Sequence, residues 1–506
     1  MRVAHALVGG AAGLVWLVLP WMTSENDAPV AIKEPGATAS AAAADPADES
    51  SGADLVLPVV AVGAAGALAG YGYIRRVRRT RDRTTPGGAS GPPPPGSSPP
   101  LAGPDEEAQR ALVRADDRLR AGRGELAFAE ARSGAGAVAP FRAAWEEAER
   151  EWAAAARMRQ RYDHGEPAED AARRHALAGI VGRCEEAGRR MDAVAGDFAR
   201  LRGLTEEAAG PGGVSAAETA VGVAEERFRE LAGRTRAVDA VLDGLRARYA
   251  PTATAAFVGN VEQARDRLVF ATVRLNQARQ SADAGDAERA ARRLRAAEGA
   301  VAQAAVLLDG IDRRADELRT AERTVPAVLT GAQAELARVR REAPADDVPA
   351  GELSSRLRNA DAVLASVRQE ITARQPYDPQ AVLRRVVRAV GAAVPGRGGV
   401  LAAAALMVAR ASVAAADDQV ATHRGAVGAT ARTRLAEARR LLADGDPADR
   451  APADALALEA LDLAERDVRA HGNPYAGPEV TAGTGGAVLG GIVPAEDPEE
   501  GPPAGF

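Results

Sequence analysis

The chain has 506 residues, 64 of them Lys or Arg against 70 Asp or Glu, and a net charge of −6, which argues against a general nucleic-acid binder because counterion release needs a basic face. Aromatics make up 3% while hydrophobic residues make up 46%, so the apolar content is mostly Ala, Leu and Val, and the deep aromatic core of an ordinary globular enzyme is not to be expected. Ala, Leu, Arg and Glu are strong helix formers, and the composition therefore predicts an all-α body. Lys33 is the one lysine, leaving 63 arginines (64 less one), a bias of the kind a GC-rich genome imposes.

In chain order, residues 1–23 carry an apolar run from Ala6 to Met22 behind Arg2. Two readings stay open, a cleaved signal peptide or an uncleaved first membrane span. Residues 24–53 form a short acidic loop, with Glu25, Asp27, Glu34, Asp45, Asp48 and Glu49 against Lys33, and belong outside the cell on either reading. Residues 54–74 are the transmembrane helix. Leu55 to Ile74 has no formal charge, and twenty residues at about 1.5 Å each span roughly 30 Å of hydrocarbon. Gly66 and Gly70 have the spacing that lets two membrane helices touch along their backbones.

Residues 75–104 follow as a basic juxtamembrane block and a Pro/Gly-rich linker. The arginines Arg75, Arg76, Arg78, Arg79, Arg81 and Arg83 set the topology, because positive loops resist translocation, and they place everything downstream in the cytoplasm. They also offer membrane lipid a docking surface, worth about 1 kcal/mol per Arg near anionic headgroups. From Thr84 to Pro104 the chain reads as a spacer that buries nothing.

Residues 105–471 read as successive helices broken by Gly and Pro, a cytoplasmic coiled-coil body of antiparallel hairpins. Ala287, Ala290, Leu294, Ala297, Val301, Ala304, Leu308, Ile311, Ala315 and Leu318 alternate spacings of three and four, a sustained heptad. Val261, Ala264, Leu268, Ala271, Leu275, Ala278 and Ala282 do the same one helix earlier. Asp283-Ala284-Gly285 separates the two, so they should fold back as a hairpin, with Gly285 ending the first helix and Asp286 capping the second. Two helices cannot hide so wide a stripe, and a third or fourth must join. Gly445-Asp446-Pro447 repeats the turn, which suggests two copies of one hairpin module. Trp145 and Trp152, one heptad apart, look like seam anchors. Further breaks are expected at 165–167, 210–213, 251, 344–349, 376–379 and 395–399, and residues 472–506 read as a disordered, Gly/Pro-rich acidic tail.

No constellation for catalysis, cofactor or metal emerges. His5, His164, His175, His423 and His471 are scattered, and Cys184 stands alone, so these read as surface or helix-end residues without ligand spacing. Glu146-Glu147, Glu185-Glu186, Glu225-Glu226 and Asp417-Asp418 lie among arginines and read as solvated, salt-bridging faces.

The segments ADLVLPVVAVGAAGALAGYGYIRRVRRTRDR, EEAQRALVRADDRLRAGRGELAFAEAR, AVAPFRAAWEEAEREWAAAARMRQRYD and the Gly-rich HGNPYAG ending together resemble actinobacterial TPM-domain-containing membrane proteins over residues 54–491. The resemblance implies a signal peptide, an extracytoplasmic TPM domain associated with metal binding or phosphatase activity, a span, and cytoplasmic helices. The segment from Ser24 to Ala53 is too short for that domain, so no catalytic residue carries over. The expectation is a membrane-tethered helical scaffold that is not itself an enzyme and binds a protein partner or itself. The alternatives are an accessory or degenerate member of the TPM group in envelope maintenance, or a helical-repeat peptide-binding module.

Overall fold

A computed structural model describes residues 101–203, 216–341, 350–394 and 399–471. Among them the chain forms twelve α-helices: α1 Ala102–Ser133, α2 Ala135–Asp163, α3 Asp170–Leu201, α4 Ala216–Arg248, α5 Pro251–Thr254, α6 Asn260–Asp283, α7 Ala287–Arg341, α8 Ala350–Thr372, α9 Pro379–Ala393, α10 Gly399–Thr422, α11 Ala429–Asp444 and α12 Arg450–Ala470. Short 3₁₀ turns, Ala255–Phe257 and Pro447–Asp449, lead into α6 and α12. No strand occurs among the described residues, and the fold is all-α. Contacts divide the chain after Ser97, so every described helix belongs to the second unit, Ser98–Phe506.

Helices α1, α2 and α3 pack as one bundle around Leu112, Leu119, Trp152, Leu177, Ile180 and Cys184. Helix α1 starts three residues inside the segment read as linker, with Pro104 in its first turn. Proline is tolerated there because its missing N–H would have had no partner within the helix. The two tryptophans tie α2 to α1. The Trp145 indole donates to the Leu119 carbonyl (2.8 Å) and Trp152 donates to the Leu112 carbonyl (3.0 Å). The donors and the acceptors are each seven apart, so one heptad of α2 is pinned in register against one heptad of α1.

Helices α6 and α7 are joined at Gly285, whose φ of 76° is the left-handed region open to glycine, and Asp286 caps α7 by accepting from the Arg289 amide (3.0 Å). Arg293 donates to Ser281 (3.0 Å) and Arg267 to Gln303 (3.1 Å). Residue numbers therefore fall on one helix as they rise on the other, and the pair is antiparallel. The heptad positions from Ala290 to Leu318 and from Val261 to Ala278 are buried, while Ala287 and Ala282, beside the turn, are half-buried. Helix α4 supplies the third wall through Leu231, Val238 and Leu242.

Helix α7 runs on for 55 residues, about 82 Å at 1.5 Å per residue, and so serves two cores. Beyond Leu318 its residues Val325, Val328 and Leu336 pack with Leu364 and Val367 of α8, Val382, Leu383 and Val386 of α9, and Val408 of α10. Asp378 caps α9, accepting from the Gln380 (2.9 Å) and Ala381 (3.1 Å) amides, with Pro379 as its first residue. The far half of α10 then joins α11 and α12 around Val420, Leu435, Ala460 and Ala464. The Gly445-Asp446-Pro447 turn parallels Gly285-Asp286-Ala287: Gly445 has φ 78° and Asp446 accepts from the Ala448 amide (2.8 Å), here opening a 3₁₀ turn before α12. The chain breaks at 164–169, 249–250 and 373–378 fall where Gly and Pro suggested. Those near 210–213 and 344–349 lie outside the described residues. The breaks at Gly134 and at 423–428 carry weaker signals and were not anticipated.

Candidate functional site: a polar seam between bundles

A chain with this many arginines must place some of them inside, and the structure places them where bundles meet. Asp116 of α1 accepts from Arg120 (2.9 Å) on its own helix and from Arg432 of α11 (2.5 Å). Arg432 is 1% exposed and also reaches Asp117 (2.8 Å) and the carbonyls of Val427 (3.1 Å) and Arg424 (2.6 Å). Arg120 spans to Asp417 of α10 (2.8 Å), which Arg439 of α11 holds from the other side. Burial alone would raise the Asp116 and Asp417 carboxyls, but the flanking guanidiniums outweigh it and hold both below the usual carboxylate range.

A second knot closes the same seam at the end of α3. Arg202 forks onto both carboxylate oxygens of Glu298 on α7 and reaches Glu125 of α1 (2.6 Å). Glu298 is nearly enclosed, and burial pushes its carboxyl up to about 7 against the pull of Arg202. Between these knots lies a cavity of about 420 Å³ walled by Ala121, Gly124 and Phe128 of α1, Ala296, Gly299 and Ala302 of α7, and Ala421 of α10.

Two more polar links tie α10 to its neighbours. Asp418 pairs with Arg313 of α7, and burial pushes its carboxyl up to about 7. Asp454 of α12 receives Arg384 (3.2 Å) and Arg388 (2.8 Å) of α9 and the Ser412 hydroxyl of α10 (2.6 Å). The Ser412 oxygen in turn accepts from Arg384 (2.8 Å), which makes it an internal connector. Arg267 of α6 differs from all of these. It is 1% exposed and donates to neutral acceptors alone: Gln303 (3.1 Å), the Gln263 carbonyl (3.1 Å) and the Thr422 carbonyl (3.4 Å). Burial pushes its guanidinium down to about 10, and the charge of the neighbouring Asp266 offsets only part of that.

The residues singled out from sequence are thus dispersed. The arginines Arg75, Arg76, Arg78, Arg79, Arg81 and Arg83, and the pair Gly66 and Gly70, lie outside the described residues. His164 and His175 are exposed, and His423 and His471 sit half-buried at helix ends. Cys184 is buried among α1–α3, where desolvation pushes its thiol up to about 12. Glu147 and Glu186 answer Arg190 (2.5 and 3.0 Å) across α2 and α3, and Glu225 answers Arg279 (2.5 Å). The Asp417-Asp418 pair is the exception to the reading of solvated faces, since both carboxylates are packed between bundles. Among the described residues no group of three or more His, Cys, Asp or Glu is arranged to hold a metal. What the seam can do chemically is to lock helices of distant sequence together by paired charge.

By length and composition, one described helix, α10, could cross a membrane, although it is not the segment the sequence suggested. Two proteins of Mycobacterium tuberculosis strains, UPF0603 protein MT2410 and UPF0603 protein Rv2345, are each 28% identical to this chain over 417 residues. The similarity covers 78% of this chain and 62% of each relative, so the chain spans less than two thirds of the curated relatives it matches. A match of that extent has to run through the helical body. No family model matches the chain, and no solved structure matches it.

Proposed function

We propose that this chain is a membrane-tethered helical scaffold of the cell envelope, acting through its surfaces rather than through chemistry of its own. One observation carries the reading. Buried charges are spent on joining helices far apart in sequence, as Arg432 joins Asp116 and Arg202 joins Glu298, around a spine 55 residues long. The spine and the cores packed along it space the surfaces, and the paired charges set the register in which α1–α3 meets them, which is the property a scaffold needs. The charge-free run from Leu55 and the Arg75–Arg83 block supply the tether and its orientation, and the anionic inner leaflet is the lipid partner. The likeness to longer mycobacterial proteins is compatible with an accessory member of the TPM group in envelope maintenance.

The test is in-cell crosslinking of the full-length protein, with mass spectrometry of what is captured. The expected result is a defined partner, or a second copy of this chain, linked through residues 105–471. Absence of any link from the body, in cells where links from the membrane segment are recovered, would sink the reading. A helical-repeat peptide binder is favoured by one feature, a cleft of about 250 Å³ between α6–α7 and α10–α12 lined by Phe257, Asn260, Leu307, Gln419 and Leu461. Capture of an extended peptide at those residues would select that alternative.

A further inference from the structure

The bundle α1–α3 meets the rest of the body in an unusual way. Its own core is nearly self-contained, with Ala429 and Ala436 the residues of α11 that join it. In the opposite direction, Phe128 packs onto the cores of α4, α6 and α7. Charged ties across the boundary include Arg432 to Asp116 and Asp117, Arg120 to Asp417, Arg202 to Glu298, and Arg295 of α7 to Glu125 of α1 (3.6 Å). Between them the packing is incomplete, leaving the cavity of about 420 Å³.

Two physical points follow. Interiors pack to the density of organic crystals, and faces held apart by a solvent-open cleft lined by Arg120, Glu125, Arg295 and Glu298 make few of those contacts along it. Buried ion pairs repay much of their own desolvation cost and little more, so they fix geometry without contributing much net free energy. An interface of a few apolar contacts, paired charges and a cleft is therefore weak beside the cores on either side of it. It also has one covalent crossing on its C-terminal side, after Arg202, where the sequence reads Gly210-Pro211-Gly212-Gly213.

We infer that α1–α3 is a displaceable arm, a three-helix unit that leaves the seam intact and returns to it while the cores on both sides stay folded. Because α1 is the first helix after the linker, the arm is the element through which the proposed tether would act on the rest of the body. Displacement would uncover Phe128 and the small-residue face of α7 around Ala296 and Gly299.

The full-length chain carries its own control for the test. Cys184 is the one cysteine, 5% exposed in the core of the arm, and reports unfolding of the arm. A second thiol introduced by Ala296→Cys, at a position 7% exposed on the α7 wall of the cavity, reports opening of the seam. Each is labelled with a maleimide too bulky for the cavity, and each rate is normalised to the denatured chain. The expected result is labelling at 296 at least about tenfold faster than at 184, a difference of about 1.4 kcal/mol in opening free energy. Adding Asp116→Asn and Asp117→Asn should raise the rate at 296 further and leave that at 184 unchanged. Equal rates at the two thiols would overturn the inference, since the arm would then leave only by unfolding. A fast rate at 296 that ignores the charge substitutions would overturn it too, because the thiol would be reached with the arm docked. Should the charge variant fold poorly, Asp417→Asn, which removes the carboxylate that Arg120 reaches across the boundary (2.8 Å), is read with the same two rates.

Discussion

At the residue scale, Arg432 and Arg267 are both buried arginines in opposite situations. Arg432 faces two carboxylates, and removing it leaves the buried Asp116 with Arg120 alone and takes the ion-pair partner from the half-buried Asp117. Arg432→Met is expected to lower stability by about 3–5 kcal/mol, whereas Arg267→Met, which discards an unpaired buried charge, should raise it by about 1 kcal/mol. Urea unfolding of the two variants checks both signs, and a loss at Arg267 as large as that at Arg432 would refute the contrast. Glu298 and Asp418 give a pH dependence. Both are pushed up to about 7, so between the ordinary carboxylate range and pH 7 the folded chain binds protons that the unfolded chain has released. Stability from these groups is present in acid and lost as pH rises through 7, by up to about 1.4 kcal/mol per pH unit for each. His423, held down by burial, acts with the opposite sign below pH 6.5. Glu298→Gln and Asp418→Asn should each flatten the decline in unfolding free energy between about pH 4.5 and 7, and an unchanged slope there would refute the assignment. In the sequence Glu298 stands as one acid among 70, and Asp418 shows only as half of an acidic pair read as a solvated face.

At the scale of the element, local chemistry was largely legible. Gly285 and Asp286 form the turn their residue types demand, and Trp145 and Trp152 stand one heptad apart because their indoles meet carbonyls one heptad apart on α1. Pro326 shows where that reading stops. An interior proline removes a backbone donor and disfavours helix by about 3 kcal/mol, yet α7 runs through it. The reason is tertiary: Val325 and Val328, on either side, are buried against α8, α9 and α10, and that packing outweighs the local penalty. Gly331 has a related cause, since a side chain there would collide with Val400 of α10, and the two helices approach closely because it has none.

At the scale of the whole molecule, the fate of α10 turns on its partners. Its composition would suit a membrane, but in the fold it carries Asp417, Asp418 and Ser412, each bonded to another helix, and Arg410 on its exposed side. Transfer into lipid would break those links and bury their charges, at several kcal/mol per group. A fragment of residues 101–471 is therefore expected in the soluble fraction after alkaline carbonate treatment, with the full-length chain retained in the membrane pellet. A pelleted fragment would show that α10 leaves the bundle for the bilayer.

The sequence by itself determined the all-α class, the turn between α6 and α7, and the heptad positions that are buried. Each of these rests on interactions within about one turn or one helix, which periodicity and capping residues record directly. Only the tertiary structure decided that Asp417 and Asp418 are half-buried between bundles, that Arg432 and Arg202 join distant helices, and that a cleft opens along part of the α1–α7 contact. Those depend on which helix comes to lie beside which, and with 63 near-identical arginines no spacing along the chain marks the few that meet an acid from another bundle.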